Sequence, residues 1–324
     1  MAVNNPLADS RVAQSISQPP SAVDFAVDRT FTALTVAAAA AIILMVAYIL
    51  YEIAGQALPA IGKYGLGFLY GTGWDVQKES FGILPEIWGT LYSSLLALLI
   101  GGFFGVTVAI FLTQDFLEAR LAAVFRTVID MLAAIPSVVF GLWGIFVVIP
   151  ALRPLANWLH EFLGWFPLFG TSLSGPGMLP AALVLAIMIL PTVAAISQDA
   201  LRQVPYKTKE AAYGMGATKW EAILRVLVPT AAGGIFSALV LGFGRALGET
   251  MALAMLIGNA NQISLSLFSP ANTLASLLAS NFPEAGAVER TALMYAALVL
   301  LAITLIVNML GNLILAATSR QVKR

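Results

Sequence analysis

Six long apolar stretches, almost free of charged residues, alternate with shorter polar segments along the chain. A helix that rises about 1.5 Å per residue needs roughly 20 apolar residues to cross about 30 Å of hydrocarbon. The pattern therefore predicts an all-α integral membrane protein whose transmembrane domain, residues 31–318, contains six transmembrane helices at residues 31–53, 88–112, 128–150, 178–198, 230–257 and 292–317.

A further short helix is predicted between the fifth and sixth spans. The uncharged run from 250 to 283 is too long for one helix and divides after Gly258. Its second part, residues 264–282, is predicted to form an interfacial or re-entrant helix. Asn272 or Thr273 is the candidate N-cap.

The composition agrees with a membrane protein and excludes several kinds of site. Apolar residues make up 59% of the 324 residues and charged residues 10%, which is too little charge to solvate a globule of this size. Lys plus Arg and Asp plus Glu number 17 each, so no excess of positive charge indicates a nucleic-acid partner. The absence of cysteine excludes disulfides, thiolate metal sites and cysteine nucleophiles, and no metal site is predicted.

Basic residues fall unequally on the two sides of the predicted bundle. With the N-terminus inside, twelve lie in cytoplasmic segments, four in external ones, and Arg245 lies within a span. This asymmetry predicts that both termini are cytoplasmic. Residues 1–30 then form a disordered cytoplasmic tail, residues 199–229 a cytoplasmic loop and residues 319–324 a cytoplasmic C-terminal tail. A cleaved signal peptide is the competing interpretation, which the long acidic lead disfavours.

The cytoplasmic loop is predicted to be a helix, a glycine turn and a second helix. The first helix begins near Pro205, which is tolerated in a first turn, and Gly214 and Gly216 end it. Thr218 and Glu221 have the spacing of a capping box, so the second helix begins there. An ordinary helical hairpin between two spans has the same local pattern.

The loop resembles the EAA loop of ABC importer permeases. Val226 and Val228 replace the Ile and Leu of the family pattern and keep its apolar character. The matching residues, at the family's spacing, are Glu210, Ala211, Ala212, Gly216 and Pro229.

The resemblance implies that this loop is a coupling helix that docks in a groove of a separate ATPase subunit. No G-x-x-x-x-G-K-[ST] phosphate loop occurs in the chain, since Gly62-Lys63 is followed by Tyr64 and lacks the upstream glycine. The chain is therefore not expected to be an enzyme. ATP and Mg²⁺ are expected to be used by the partner ATPase, and no cofactor is expected to bind this chain.

Arg245 is the most unusual residue of the predicted spans. It follows nineteen uncharged residues and lies near the middle of the fifth span. An arginine at the centre of a membrane helix costs about 2.5–3.5 kcal/mol on insertion scales, so it indicates a function. Glu249 is four residues further on, which predicts that both charges share one helical face. Gly244 and Gly248 form a GxxxG pair that permits close helix packing.

Three interpretations of the charged pair remain open on this evidence. The charges neutralise each other and stabilise the bundle, or Arg245 binds an oxyanion in a pathway while Glu249 orients it. The third interpretation is a proton relay through Glu249, for which Asp130 is the only further acidic candidate at membrane depth.

Pro136, preceded by Ile135, is predicted to kink or break the third span. Ser137 is a candidate partner for the backbone groups freed there and a candidate pathway residue. A kink that serves only packing explains the motif equally well.

Two motifs narrow the resemblance to the C-type permease subunits of bacterial phosphate ABC importers. They are GRALGETMA at residues 244–252 and IPSVVFGLWG at residues 135–144, and the similarity extends over roughly residues 30–318. It implies the type I ABC importer permease fold. It also implies that Arg245 and Glu249 are the charged pair of the translocation pathway.

The expected partners follow from that resemblance. They are a homologous A-type permease subunit, two ATPase subunits, a periplasmic phosphate-binding protein, phosphate and the lipid of the bacterial inner membrane, with no nucleic acid. The chain would form half of the pathway for inorganic phosphate. Permeases for sulfate or molybdate are the nearest alternatives, because one arginine does not distinguish tetrahedral oxyanions. A secondary anion transporter or a channel is the alternative outside this class.

Overall fold

A computed structural model describes residues 21–322 of the protein, with side chains through residue 316. One two-residue antiparallel strand pair, β1 (Trp74–Asp75) with β2 (Ser80–Phe81), accompanies the helices of this region. The helices are α1 Ala22–Tyr64, α2 Gly67–Tyr70, α3 Leu84–Thr113, α4 Ala119–Ala134, α5 Ser137–Trp143, α6 Ile149–Leu163, α7 Met178–Arg202, α8 Tyr206–Gly214, α9 Lys219–Ala222, α10 Val228–Leu247, α11 Met251–Leu256, α12 Leu274–Asn281 and α13 Ala287–Val322, with a 3₁₀ turn at Pro167–Phe169.

Six helices of the described region are long and apolar enough to cross a membrane, as the sequence predicted. Two of them are composite, since α5 runs into α6 and α9 runs into α10 through single π-helical turns. The six are α1, α3, Ser137–Leu163, α7, Lys219–Leu247 and α13.

The first helix begins earlier than the sequence analysis expected. The Asp24 carboxylate accepts hydrogen bonds from the Ser21 amide and hydroxyl at 2.9 and 2.8 Å, and Ser21 Oγ accepts from the Asp24 amide at 3.2 Å. This reciprocal cap starts α1 at Ala22, so residues 22–30 are helical and not a disordered tail. Residues 1–20 of the predicted tail lie outside the described residues. At the other end, α13 includes residues 319–322 of the predicted C-terminal tail, and residues 323 and 324 lie outside the described residues.

The third predicted span, residues 128–150, instead covers the end of α4, a break and the start of the next helix. The helical region is disfavoured for a residue before proline, and Ile135 is accordingly extended, with φ −70° and ψ 127°. Pro136 then precedes the first turn of α5, its carbonyl accepting from the Val139 amide at 3.0 Å. The predicted break at Pro136 is therefore present, and the spanning segment runs from residue 137 to 163.

A proline follows each of the two π-helical turns of the described region. The turns Gly144–Val148 and Ile223–Leu227 each end two residues before a proline, Pro150 and Pro229. A proline nitrogen cannot donate to the carbonyl four residues earlier, and its ring collides with that carbonyl in a regular α-helix. The widened turn accommodates the proline without ending the helix.

The chain divides into two compact units at Gly55 and Gln56. In the second unit, α7 is the central helix and packs most extensively on α3 and α10. Glycine allows the α3 contact, because a Cβ at Gly101 would lie 2.5 Å from the Ala186 carbonyl oxygen and one at Gly105 would lie 2.9 Å from Val193 Cβ. The main apolar cluster lies around this central helix.

The segment between α11 and α13 contains the predicted short helix. Its N-cap is Thr273, one of the two candidates, whose hydroxyl accepts from the Ser276 amide at 3.1 Å. The start of α12 is also tied to α3, since the Leu274 amide donates to Thr90 Oγ1 at 2.9 Å. The backbone at Asn272 approaches Gly89 so closely that a Cβ there would overlap the Asn272 carbonyl oxygen.

Candidate functional site: a coupling segment and an arginine in the membrane region

The residues from Tyr206 to Pro229, here called the coupling segment, begin with α8 and a tightly closed turn. The Gly216 amide donates to the Tyr213 carbonyl at 2.9 Å, and the Ala217 amide donates to the Ala212 carbonyl at 3.1 Å. These two bonds form a Schellman motif, which requires a left-handed residue, and Gly216 has φ +83°. The spacing of Ala212 and Gly216 in the motif thus follows from the geometry of this helix end.

The second helix of the coupling segment has the predicted capping box. The Thr218 amide donates to Glu221 Oε2 at 3.0 Å, and the Glu221 amide donates to Thr218 Oγ1 at 3.4 Å. The helix that begins here continues through the π turn to Leu247, so the coupling segment is covalently and helically continuous with α10.

Much of the coupling segment lies at the surface of the chain. Of the residues in the EAA pattern, Ala212 is buried, whereas Glu210, Ala211, Gly216 and Pro229 are exposed. The Met215 side chain, 88% exposed, is at the tip of the turn. An open groove of about 550 Å³ between the two helices is lined by Thr208, Ala211, Ala212, Met215, Gly216, Ala217, Glu221, Arg225 and Val226. An exposed apolar tip beside a groove is suited to contact with another protein.

A set of contacts that the sequence analysis missed joins the coupling segment to the turn after α3. Lys209 Nζ lies 3.0 Å from Asp115 Oδ2, and Lys219 Nζ donates to the Asp115 carbonyl at 2.8 Å. The Lys219 ammonium also lies 4.0 Å from the centre of the Phe116 ring, which packs on Trp220 with centroids 5.0 Å apart. These five residues are here called the Asp115 brace. Their separation by about a hundred residues leaves no local sequence signal.

Arg245 lies in the last turn of α10, and the helix ends at Leu247. The expectation of one continuous span with Arg245 near its middle and Glu249 on the same face is wrong. Gly248 has φ −95° and ψ 0°, and the chain leaves the helix before Glu249. Within the part of the chain that the structure describes, Arg245 and Glu249 form no ion pair with each other. Glycine and the short break interrupt the spacing of four residues on which the expectation rested.

Each of the two charged residues has a different partner. Arg245 is exposed at the surface of the chain, and its Nη1 lies 3.5 Å from Thr192 Oγ1 of the central helix α7. Glu249 Oε1 accepts from the Ala252 amide at 3.4 Å and so occupies the N-terminal end of α11. The arginine therefore keeps donors available for a group outside the chain.

Ser137 lies at the same end of a helix pair as Glu249. Helices α5 and α11 pack in parallel, because a Cβ at Gly141 would lie 2.7 Å from Met255 Sδ and one at Gly144 would lie 2.6 Å from Leu256 Cδ1. Ser137 is one turn before Gly141, and Glu249 is just before α11. The two glycines of the IPSVVFGLWG motif thus allow the third spanning segment to pack closely against α11.

Of the two glycines of the GxxxG pair, only Gly244 lies close to a neighbouring helix, as predicted for both. A Cβ at Gly244 would lie 3.2 Å from Asn308 Oδ1 of α13, so this glycine does face a neighbouring helix. At Gly248 a Cβ would meet only carbonyls of its own helix, at 3.9 Å. Gly248 therefore marks the end of α10, and among the described residues it makes no close contact with another helix.

Six apolar helices long enough to cross a membrane, with an exposed coupling segment and an arginine exposed at the end of the fifth, define a polytopic membrane protein. The chain belongs to the family of binding-protein-dependent transport system inner membrane components, whose model matches residues 101–324. It is a multi-pass protein of the inner membrane.

The chain is similar to several proteins named phosphate transport system permease protein PstC. The one from Pasteurella multocida is 39% identical over 85% of this chain and 87% of the relative. The one from Haemophilus influenzae is 39% identical over 89% of this chain and 93% of the relative, and one from Xylella fastidiosa is 36% identical over 85% and 89%.

Solved structures confirm the type I importer permease fold that the sequence analysis expected. An inward-facing structure of the MetNI methionine ABC transporter matches with a TM-score of 0.54 and 20% identity, over 73% of this chain and 95% of that chain. A bacterial ABC transporter involved in the import of the acidic polysaccharide alginate matches with a TM-score of 0.52 and 16% identity, over 82% and 96%. At this identity the likeness concerns the fold alone.

Proposed function

We propose that the chain is a permease subunit of an ATP-driven importer and forms half of the translocation pathway for inorganic phosphate. The observation that carries the proposal is its similarity to phosphate transport permeases over most of both chains. The family assignment favours an importer driven by other subunits over a secondary anion transporter or a channel.

In this function Arg245 interacts with the anion during passage. A guanidinium group gives two parallel hydrogen bonds to an oxyanion, and it stays charged at any physiological pH. The exposure of Arg245 on a spanning segment, with a single long hydrogen bond to Thr192, supports this role. Because transport requires release, the contact must lower the barrier for a dehydrated anion without holding it tightly.

Glu249 and Ser137 act beside the arginine. Glu249 anchors the start of α11 through the Ala252 amide and leaves a negative charge near the pathway that disfavours prolonged anion binding. Ser137, half-buried at the start of α5, supplies a hydroxyl at the same end of the α5 and α11 pair. These roles are proposals that rest on the arrangement of the helix ends.

The coupling segment is the proposed docking site of a separate ATPase subunit. Its exposed residues Glu210, Ala211 and Gly216 and the exposed Met215 supply the contact surface, while the Schellman motif and capping box keep it rigid. We propose that two such ATPase subunits, and not this chain, bind and use ATP and Mg²⁺. A homologous A-type permease would complete the pathway, and a periplasmic phosphate-binding protein would deliver the anion.

The proposed cargo is tested by uptake into vesicles that contain the chain assembled with an A-type permease and the ATPase. With the binding protein and ATP present, labelled phosphate is expected to accumulate, and unlabelled sulfate or molybdate is expected not to compete. Accumulation of labelled sulfate or molybdate in place of phosphate would assign the chain to another oxyanion. Uptake that continues without ATP would contradict the importer class.

A further inference from the structure

We propose that the Asp115 brace is a positioning device that fixes the coupling segment to the C-terminal end of α3, so that displacement of the segment also moves α3. The inference rests on the proposed function and goes beyond it, because it assigns roles to Lys209, Lys219 and Asp115 in transmitting the movement.

The brace ties both helices of the coupling segment to one residue. Lys209 belongs to α8 and Lys219 to α9, on opposite sides of the Gly216 turn. The first lysine contacts the Asp115 carboxylate at 3.0 Å and the second its carbonyl at 2.8 Å. The Schellman motif and the capping box order each side of the turn locally, and the brace adds a tertiary contact to each side. Attachment of both sides to Asp115 fixes the angle between them.

The geometry of Asp115 suits this task. It has φ +52°, a left-handed conformation that aspartate adopts more readily than most residues. Phe116, the next residue, lies under the Lys219 ammonium and packs on Trp220. The Asp115 side chain is 83% exposed, and exposed ion pairs add little stability, so the value of the brace lies in its geometry.

Besides the chain connections of the coupling segment to α7 and α10, the brace gives it a contact path to α3. One path is the continuous helix from α9 to Arg245. The second runs from Asp115 into α3, which packs on the central helix α7, and α7 carries Thr192, the hydrogen-bond partner of Arg245. A displacement transmitted along both paths moves Arg245 and its partner together. Without the brace, α3 would be connected to the coupling segment only through its packing on α7 and α10.

The test uses the full importer with the double variant Lys209→Met, Lys219→Met, which keeps the apolar stems and removes both charges. The control is Arg120→Met, since Arg120 is exposed in α4, outside the coupling segment, and its side chain makes no hydrogen bond or ion pair with the described residues. The measured quantity is phosphate imported per ATP hydrolysed. The double variant is expected to retain its ATPase subunits and to import about fivefold less phosphate per ATP, a typical coupling factor. The control, and the double variant Lys209→Arg, Lys219→Arg, are expected to stay near wild type.

A cross-link separates transmission from docking. The chain has no cysteine, so the variant Asp115→Cys, Lys209→Cys reacts with a short bismaleimide only at those positions. Import per ATP is expected to be low before cross-linking and restored after it. An unchanged ratio in the lysine double variant, loss of its ATPase subunits, or no restoration by the cross-link would each overturn the brace. Absence of import by the wild-type assembly would overturn the proposed function, and the brace with it.

Discussion

Gly216 is the residue on which the shape of the coupling segment depends. Its φ of +83° closes the Schellman motif, and apart from the two chain neighbours no atom of the described residues would lie within 4 Å of an added Cβ. A substitution there therefore strains the backbone without a steric collision. The effect of each substitution should follow the ability of the new residue to adopt the left-handed region.

Gly216→Ala is expected to lower the free energy of unfolding by about 1 kcal/mol, because the left-handed backbone conformation is less favourable for alanine than for glycine. Gly216→Asn is the matched control and should lose less stability, since asparagine adopts the left-handed region more often than alanine does. Unfolding of the purified chain in a dodecyl sulfate titration, followed by circular dichroism, measures both. An alanine variant as stable as wild type would mean that the turn has no strained residue.

The coupling segment was predictable and the Arg245 environment was not, for a physical reason. Caps and glycine turns are local, so Thr218, Glu221 and Gly216 carry their structural signals in sequence. The end of α10 depends on how the chain between Gly248 and Thr250 packs. Two residues four apart share a helical face only if both lie in the same helix, and Arg245 and Glu249 do not. Arg245 was singled out by its charge, whereas its contact with Thr192 is a tertiary one that leaves no local sequence signal.

At the scale of elements, counting uncharged residues predicted the number of spans but displaced one of them. The count merged the end of α4 with the next helix, although α4 carries Arg120, Arg126 and Asp130. The Arg126 guanidinium donates to Gln198 Oε1 at 3.3 Å, which holds α4 against the central helix. The break at Pro136 follows from proline chemistry and was predictable. Whether the helix before Pro136 or the one after it is the spanning helix depends on packing.

Packing of α3 against the start of α12 is tested by Gly89→Ala. The new Cβ would overlap the Asn272 carbonyl oxygen, so the two elements must separate, and overpacking of this kind costs about 1–3 kcal/mol. Gly62→Ala in α1 is the control, because an added Cβ there meets nothing within 4 Å. The same unfolding titration should show destabilisation of the first variant only. Equal stability of both would contradict the close approach at Asn272.

At the scale of the whole molecule, the proposed orientation places the coupling segment in the cytoplasm and the segment after α6 outside. The chain has no cysteine, so single cysteines report on one site each. Met215 and Trp165 are suitable positions, with side chains 88% and 80% exposed. In intact spheroplasts a membrane-impermeant maleimide is expected to label Trp165→Cys at once and Met215→Cys only after permeabilisation. The reverse pattern would place both termini outside and rule out cytoplasmic docking.

The most direct test of the account is phosphate uptake by the reconstituted importer with Arg245→Gln. Glutamine keeps hydrogen-bonding capacity and removes the charge, and hydrogen bonds to charged groups contribute about 1.5–3 kcal/mol. The variant is therefore expected to assemble with its partners and to import phosphate roughly 10- to 100-fold more slowly, by that energy. Arg245→Lys keeps the charge but not the bidentate geometry, so its uptake rate should fall between those of the wild type and Arg245→Gln. Uptake at the wild-type rate by the fully assembled Arg245→Gln importer would contradict a role of Arg245 in the pathway.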